Sequence, residues 1–407
     1  MTVRRQQQPS SPLSGPPVIP EFRKALDEMV ALGRQGHRPD SQFFNPPNEW
    51  LIRKLAILQD LPAADRRRVL ADAKEIELAA QQANAEGKAA ARVWPGVVVR
   101  LDSGGLAFFS QLGVARRPDL TQYFVDGFTR NRDALAFSEA NQSLFAEVFA
   151  CINQFMEQRF AAGDSIIQSD RQVGDAPGRS FHARQLLFGD RYLQIPLMWR
   201  QLPFDLPQHE RRQPPDILEV SVPHWLDDLE MPPGLKARIQ QAGLTQLVFK
   251  APTKGLSLHL GFDYVGEHKM GPLSIAMFLV KQANGLAVQA ALSMARARTL
   301  SGSMKNTALV TVGPSLHGKS TLTIMIVLAN SDLARHLGLA EDPEEGIYPM
   351  NDDIVMLQAL AEPVETTRGG KPIRITHGID GTENNFYAMP FGLNPEGDPI
   401  TFEAVRG

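Results

Sequence analysis

Cysteine is almost missing from this chain. Among 407 residues there is one, Cys151, so no intrachain disulfide can form and a cysteine-rich zinc site is excluded. One thiol fits a reducing compartment, and a cytoplasmic location is the expectation. Cys151 lies in the apolar helical pattern of residues 144–152, which suits a packed thiol better than a nucleophile. Long apolar runs are missing too; none approaches the roughly 18 residues of a membrane span. Neither charge is in large excess. The net charge is −3, and short basic clusters such as Arg66-Arg67-Arg68 and Arg211-Arg212 are flanked by acids or prolines. Neither nucleic acid nor a membrane is therefore an expected partner. The first 20 residues lack a hydrophobic signal core and are rich in Gln, Ser and Pro, the texture of a disordered tail.

The apolar content is ordinary for a globular chain and suffices for two or three domains. Apolar residues at three- and four-residue spacing predict helices over 21–35, 48–59 and 138–159, and Pro62 opens a long Ala-rich helical run to about residue 92. Residues 163–177 read as a loop, and 203–215, rich in Pro, as a surface connection. Residues 184–199 alternate apolar and charged residues like a strand. Strand signals follow at 217–222, 246–250 and 256–264, and residues 271–283 are apolar at helical spacing. The expected class is α/β (mixed α+β), in four parts: a tail (1–20), a helical extension (21–95) that is a candidate protein-partner surface, a mixed domain (96–245) and a nucleotide-binding domain (246–407).

That last assignment rests on Gly313-Pro314-Ser315-Leu316-His317-Gly318-Lys319-Ser320, which fits the phosphate-loop pattern G-x-x-x-x-G-K-[ST] at every fixed position. In such a loop backbone N–H groups wrap a polyphosphate, the Lys neutralises its outer phosphates and the Ser hydroxyl ligates Mg²⁺. The context fits: residues 307–312 read as a buried strand before the loop and 321–329 as a helix after it. The expected nucleotide-binding positions are Gly313, Ser315, His317, Gly318, Lys319, Ser320 and Thr321. Downstream, Asn351-Asp352-Asp353 precedes a strand-like run. Adjacent acids at a strand edge suit a hard cation beside phosphates, which makes Ser320, Asp352 and Asp353 the candidate Mg²⁺ ligands. An Asn-Asp turn that merely starts a strand would look the same. Upstream, Gly266-Glu267-His268-Lys269-Met270-Gly271 places Lys269 and His268 between glycines. That arrangement can hold an anion, though an exposed charged loop would share the pattern. His182, His209, His224 and His259 show no metal-ligand spacing and read as structural or surface residues.

The order of these segments resembles the ATP-type phosphoenolpyruvate carboxykinases. That family carries G-E-M-K-K-G, then G-L-S-G-T-G-K-T, then G-D-D, then N-F-E-G-G-C-Y-A-K. Tyr264-Val-Gly-Glu-His-Lys-Met-Gly271, the phosphate loop, Asn351-Asp-Asp353 and Thr382-Glu-Asn-Asn-Phe-Tyr-Ala-Met389 follow in the same order, with Glu383, Tyr387 and Ala388 kept. Pro215-Asp216-Ile-Leu218 and Leu247-Val-Phe-Lys250 resemble further family segments, and Arg116-Arg117-Pro118 resembles its R-S-P, whose Arg binds the substrate's carboxylate or phosphate. The resemblance runs from about residue 97 to the end. It implies a carboxykinase-like fold, ATP with Mg²⁺, catalytic roles for Lys269, Lys319, Asp353 and Arg116, and a nucleotide contact at Glu383.

The departures redirect the expected function. Met270 stands where the family has a Lys that ligates Mn²⁺, and a thioether is a poor ligand for a hard ion. The family's metal-binding His has no counterpart in Val288-Gln-Ala-Ala-Leu-Ser293. The second, Mn²⁺, site is therefore expected to be lost, while the phosphate end of the cleft is kept. The chain also stops short of the family's C-terminal part; either it is a fragment, or its base recognition is built differently. The expectation is an ATP- and Mg²⁺-dependent phosphotransferase whose small-molecule acceptor is not oxaloacetate. A true carboxykinase and a nucleotide-binding protein without catalysis are the alternatives.

Overall fold

The computed structural model describes residues 19–86, 98–100, 106–108, 121–127, 134–135, 138–207, 213–313, 318–319, 322–323, 336 and 344–385. The N-terminal part holds α1 (Pro20–Gln35), α2 (Asn48–Lys54), α3 (Ala63–Ala85), β1 (Val98–Arg100), β2 (Leu106–Phe108), β3 (Gln122–Val125) and α4 (Glu139–Ala162). Next come β4 (Ile166–Val173), β5 (Phe181–Phe188), α5 (Gln194–Gln201), β6 (Ile217–Val222), α6 (Trp225–Asp228), α7 (Leu235–Gln241), β7 (Leu247–Ala251), β8 (Leu256–Leu260) and α8 (Val265–Gln282). The chain then runs through β9 (Leu286–Arg298), β10 (Met304–Val312), β11 (Gly346–Asn351), β12 (Ile354–Arg368) and β13 (Lys371–Gly381). The class is mixed α/β.

Two large sheets organise the chain, beside a two-stranded sheet of β1 and β2. The first has six strands in the order β3-β7-β8-β6-β5-β4; the second runs β10-β9-β12-β13, with β11 also on β9. One face of the first sheet is covered by α1 and α4, in a core that includes Phe22, Leu26, Phe145, Phe149, Leu218 and Phe249. Helix α1 begins at Pro20, where a missing N–H leaves no bond unmade, and ends at Gly36, φ +60°, whose N–H donates to Leu32 O. Its stripe Phe22, Ala25, Leu26, Met29, Val30 is buried. Ser138 caps α4 by accepting the Asn141 N–H, and Gly163 closes it in the left-handed conformation.

Strand pairing and packing bear on the expected division of the chain. Helix α1 is built into the main core rather than forming a separate extension. A division at residue 245 would cut the first sheet, because β7 and β8 pair with β3 and β6 from before it. The strand-like reading of 184–199 separates into the end of β5 and helix α5.

The expected loop at 163–177 contains β4, buried along its length. Its polar run hid the strand, because the polar groups are answered inside the protein. Asp170 takes both Arg184 Nε and Nη2 at 2.8 Å, with His182 Nε2 at 3.2 Å. Arg184 Nη1 also donates to Gly33 O and Arg34 O at the end of α1, at 3.2 and 2.6 Å. Gln168 Oε1 accepts the His37 N–H at 2.7 Å, and Arg171 pairs with Asp205. Burial raises the Asp170 carboxyl, but the bonds from Arg184 and His182 overcome it and hold the group below its ordinary range.

The other face of the first sheet is polar where it meets α8. Strands β6 (I-L-E-V-S-V) and β8 (L-S-L-H-L) alternate: Leu218, Val220, Leu258 and Leu260 join the core under α1 and α4. Glu219, Ser221, Ser257 and His259 point the other way, yet all four are fully buried. Helix α8 covers them and packs on its far side against β9 and β12 of the second sheet. Gly271 permits that approach, since a Cβ there would sit 2.4 Å from His259 Nε2.

Asp170→Ala strands the Arg184 guanidinium without its counter-charge. The expected loss is about 3–5 kcal/mol in urea unfolding at neutral pH. Because the native carboxyl is held low, this contribution is present above the ordinary carboxylate range and is lost as pH falls below about 4, so the gap between wild type and variant narrows in acid. Equal urea midpoints at neutral pH would refute the role given to the pair.

Candidate functional site

The second sheet brings its loops to one level. Val312, the last residue of β10, lies opposite Ala290 of β9; Ile354, the first of β12, lies opposite Gln289; Gly381, the last of β13, lies opposite Val355. The connections after β10, before β12 and after β13 therefore open at the same end. Gly313, Asp352-Asp353 and Glu383 belong to those three connections. Gly313 N–H donates to Gln289 O, and Ala290 N–H to Asp353 O at 2.8 Å. Asn351 ties two of the connections together: its Nδ2 donates to Ile354 O at 2.8 Å, and its Oδ1 accepts the Glu383 N–H at 3.3 Å.

Lys269, from the first turns of α8, enters this end. Its Nζ lies 3.1 Å from Asp353 Oδ2 and 3.1 Å from Glu383 Oε1. Lys319 Nζ lies 3.6 Å from Asp353 Oδ1. Gly318 before it has φ +80°, a conformation that favours glycine, and Lys319 O accepts the Thr323 hydroxyl at 3.0 Å as a helical turn begins. Lys269, Lys319, Asp352 and Glu383 are buried and Asp353 nearly so. Three carboxylates thus face two ammonium groups in a place with little water.

Protonation follows from that imbalance. Burial pushes the Glu383 carboxyl up to about 8; Lys269 pulls it down, and Asp352 and Asp353 add to the rise. For Lys269 burial disfavours the ammonium, but Glu383, Asp353 and Asp352 outweigh it and hold the group above its ordinary range. Lys269 therefore stays charged at neutral pH, and Glu383 is the group that keeps a spare proton. Carboxylate oxygens dominate this set, the donor type that a hard divalent cation takes.

The segment 266–271, read as a possible anion holder with an exposed charged loop as the alternative, is helical and lies inside α8, with His268 and Lys269 buried. Met270 packs against the apolar cluster of Val173, Trp199 and Leu273, so its thioether serves the core. His268 does not join Lys269; its ring faces the first sheet. The strand expected before the phosphate loop is present as β10, but it is an exposed edge rather than a buried strand, with Val312 at 70% exposure. Arg116, Ser315, His317, Ser320, Thr321, Tyr387 and Ala388 lie outside the described residues. Cys151 is buried in α4, and burial raises its thiol above the ordinary range.

A second polar group lies on the opposite side of α8, and the sequence reading did not join its members: His259 was read as one of four scattered histidines and His268 with Lys269. His268 Nδ1 donates to Tyr264 O at 2.9 Å, which leaves Nε2 to accept from Ser221 Oγ at 2.7 Å. His259 Nε2 meets Ser257 Oγ at 2.7 Å, and its Nδ1 lies 3.4 Å from Glu219 Oε1. Gln185 Nε2 donates to Glu219 Oε2 at 2.9 Å. Burial pushes His268 down to about 4 and His259 well below its ordinary range, so both rings are neutral. No linear spacing joins Glu219, His259 and His268; the usable signal was the alternation in L-S-L-H-L, which demands a polar face.

Comparison with protein-family models finds no match, and comparison with characterised protein sequences finds none. Among the described residues no helix is long and apolar enough to cross a membrane.

Lys269→Met removes one of two ammonium groups from among three carboxylates. The expected loss of stability is about 3 kcal/mol without added metal, and millimolar Mg²⁺ should recover part of it in the variant. Thermal melts of both proteins with and without Mg²⁺ check this; a variant that melts with wild type removes Lys269 from the centre of the site.

Proposed function

We propose that the chain binds a nucleoside triphosphate with Mg²⁺ and transfers its terminal phosphoryl group to a small molecule other than oxaloacetate. The observation that carries the reading is the convergence of Lys319, Lys269, Asp353 and Glu383, from four separate segments, at one buried end of the second sheet. Phosphoryl transfer asks mainly for positioning and for charge set against the phosphate oxygens. Lys319, beside Gly318, is placed to neutralise the outer phosphates, and Lys269 to meet charge that develops on the transferring group. Asp352 and Asp353, with Ser320, are the oxygens that would hold Mg²⁺, which when bound neutralises phosphate charge. Glu383 orients Lys269.

The carboxykinase-like fold is part of the same proposal and rests on the order of the four sequence segments. Met270 argues against the carboxykinase reaction itself, since that position turns into an apolar cluster rather than toward Asp353. ATP as the nucleotide and a cytoplasmic location belong to the proposal as well.

Calorimetric titration of the full chain with MgATP and MgGTP tests the reading. Lys319→Ala should weaken binding of the preferred nucleotide about 10- to 100-fold. A coupled assay with oxaloacetate, ATP and Mn²⁺ should give no sustained turnover. Robust turnover would establish the carboxykinase alternative in its place. Nucleotide binding with no acceptor in a broad metabolite screen would favour a protein that binds without catalysis. A wild-type chain that binds no nucleotide overturns all three.

A further inference from the structure

The buried group under α8 carries a second inference, independent of the nucleotide reading. One ligating atom each from Glu219, His259 and His268 lies within 4.8 Å of the other two. All three side chains are fully buried. Among the described residues Glu219 Oε1 and His259 Nδ1 have no hydrogen-bond partner, and they face each other at 3.4 Å. Two unsatisfied polar atoms in a dry interior carry a cost that a native fold normally removes.

We infer that Glu219 Oε1, His259 Nδ1 and His268 Nε2 form a zinc site. Two ligand atoms about 2.0–2.1 Å from a tetrahedral ion stand about 3.3 Å apart, which matches the Glu219–His259 separation. The remaining atoms of each ligand are already oriented as a metal site requires. His268 Nδ1–H is fixed by Tyr264 O, His259 Nε2 by Ser257 and Glu219 Oε2 by Gln185. A ligating histidine typically anchors its second nitrogen on a carbonyl or other acceptor, and a ligating carboxylate is itself hydrogen-bonded. Two imidazoles and one carboxylate without a thiolate suit Zn²⁺ among the common borderline ions. His268 Nε2 accepts from Ser221 Oγ at 2.7 Å, a bond that the ion would replace.

The complete burial of the three ligands assigns the ion a structural role. It enters as the chain folds, and it welds the first turns of α8 to β6 and β8. Lys269 follows His268 directly, so the same weld sets the angle at which the ammonium meets Asp353 and Glu383. The occupant differs from the cation expected at Asp352 and Asp353, which would be hard and oxygen-bound.

The test uses untagged full-length protein. Metal analysis should find about one zinc per chain that a chelator removes only on unfolding. X-ray absorption at the zinc edge of the wild-type protein should show imidazole scattering and no sulfur shell. Refolding with Co²⁺ should give the intense visible bands of a four-coordinate ion. Glu219→Gln and His259→Asn should each lower zinc affinity at least about tenfold, while Asp353→Asn leaves it unchanged. Folded wild-type protein that stays metal-free after refolding with zinc overturns the site, and shows that the cluster is a hydrogen-bonded network with a proton between Glu219 and His259. Zinc lost in Asp353→Asn but kept in His259→Asn overturns it equally. Should the buried variants not fold, the absorption spectrum of the wild type decides alone.

Discussion

The ammonium of Lys269 is buried between Asp353 and Glu383, and much of the molecule is arranged so that this contact can exist. A lysine is admitted to a dry interior only when acids surround it, and the acids are admitted only because the lysine is there. Neither partner can be supplied by one stretch of chain. Asp353 comes from the turn before β12, Glu383 from the end of β13 and Lys269 from a helix that begins on the other sheet. The cooperativity of the fold and the integrity of the site are in this sense one constraint. Asp353 has Lys319 beside it on the second sheet, but the Lys269 ammonium gains its counter-charge only when the two sheets dock through α8.

The first sheet follows the same logic without evident chemistry. Asp170, Arg184, His182, Gln168 and His37 form a buried polar patch that ties β4 and β5 to the end of α1. Such networks specify one arrangement strongly, because each group left unpaired in low dielectric costs more than the same group in water. They also explain why a chain of ordinary apolar content can bury so much polar surface.

Legibility in the sequence tracked the range of the physics involved. Local signals were readable: the apolar spacing of α1, the helical pattern of residues 138–159 and the phosphate-loop pattern around Lys319. Asp352-Asp353 was readable because adjacent acids before an apolar run have a local meaning. Lys269 had a weak local signal in its flanking glycines, and Glu383 was reached only through the order of segments that resemble carboxykinases; nothing in their own neighbourhoods marks them as buried. The strand β4 was lost because its polar run Gln168-Ser-Asp-Arg-Gln172 is buried by partners from other elements, which no local window contains. The Glu219–His259–His268 group was hidden for the same reason: its members sit on two strands and a helix. The strand signals at 217–222 and 256–264 were read, but no local window shows that a helix closes over their polar face.

Gly271 has a consequence that concerns the length of the chain rather than its composition. The contact of α8 with β8 at Gly271 fixes the helix against the first sheet, while residues one turn earlier face two different neighbours: His268 looks toward Ser221 and Lys269 toward Asp353. Each residue turns an α-helix by about 100°. One residue inserted or deleted between Lys269 and Gly271 would therefore rotate both side chains away from their partners at once, with every residue type preserved. Over this turn, the spacing of His268, Lys269 and Gly271 is constrained as tightly as the residues themselves.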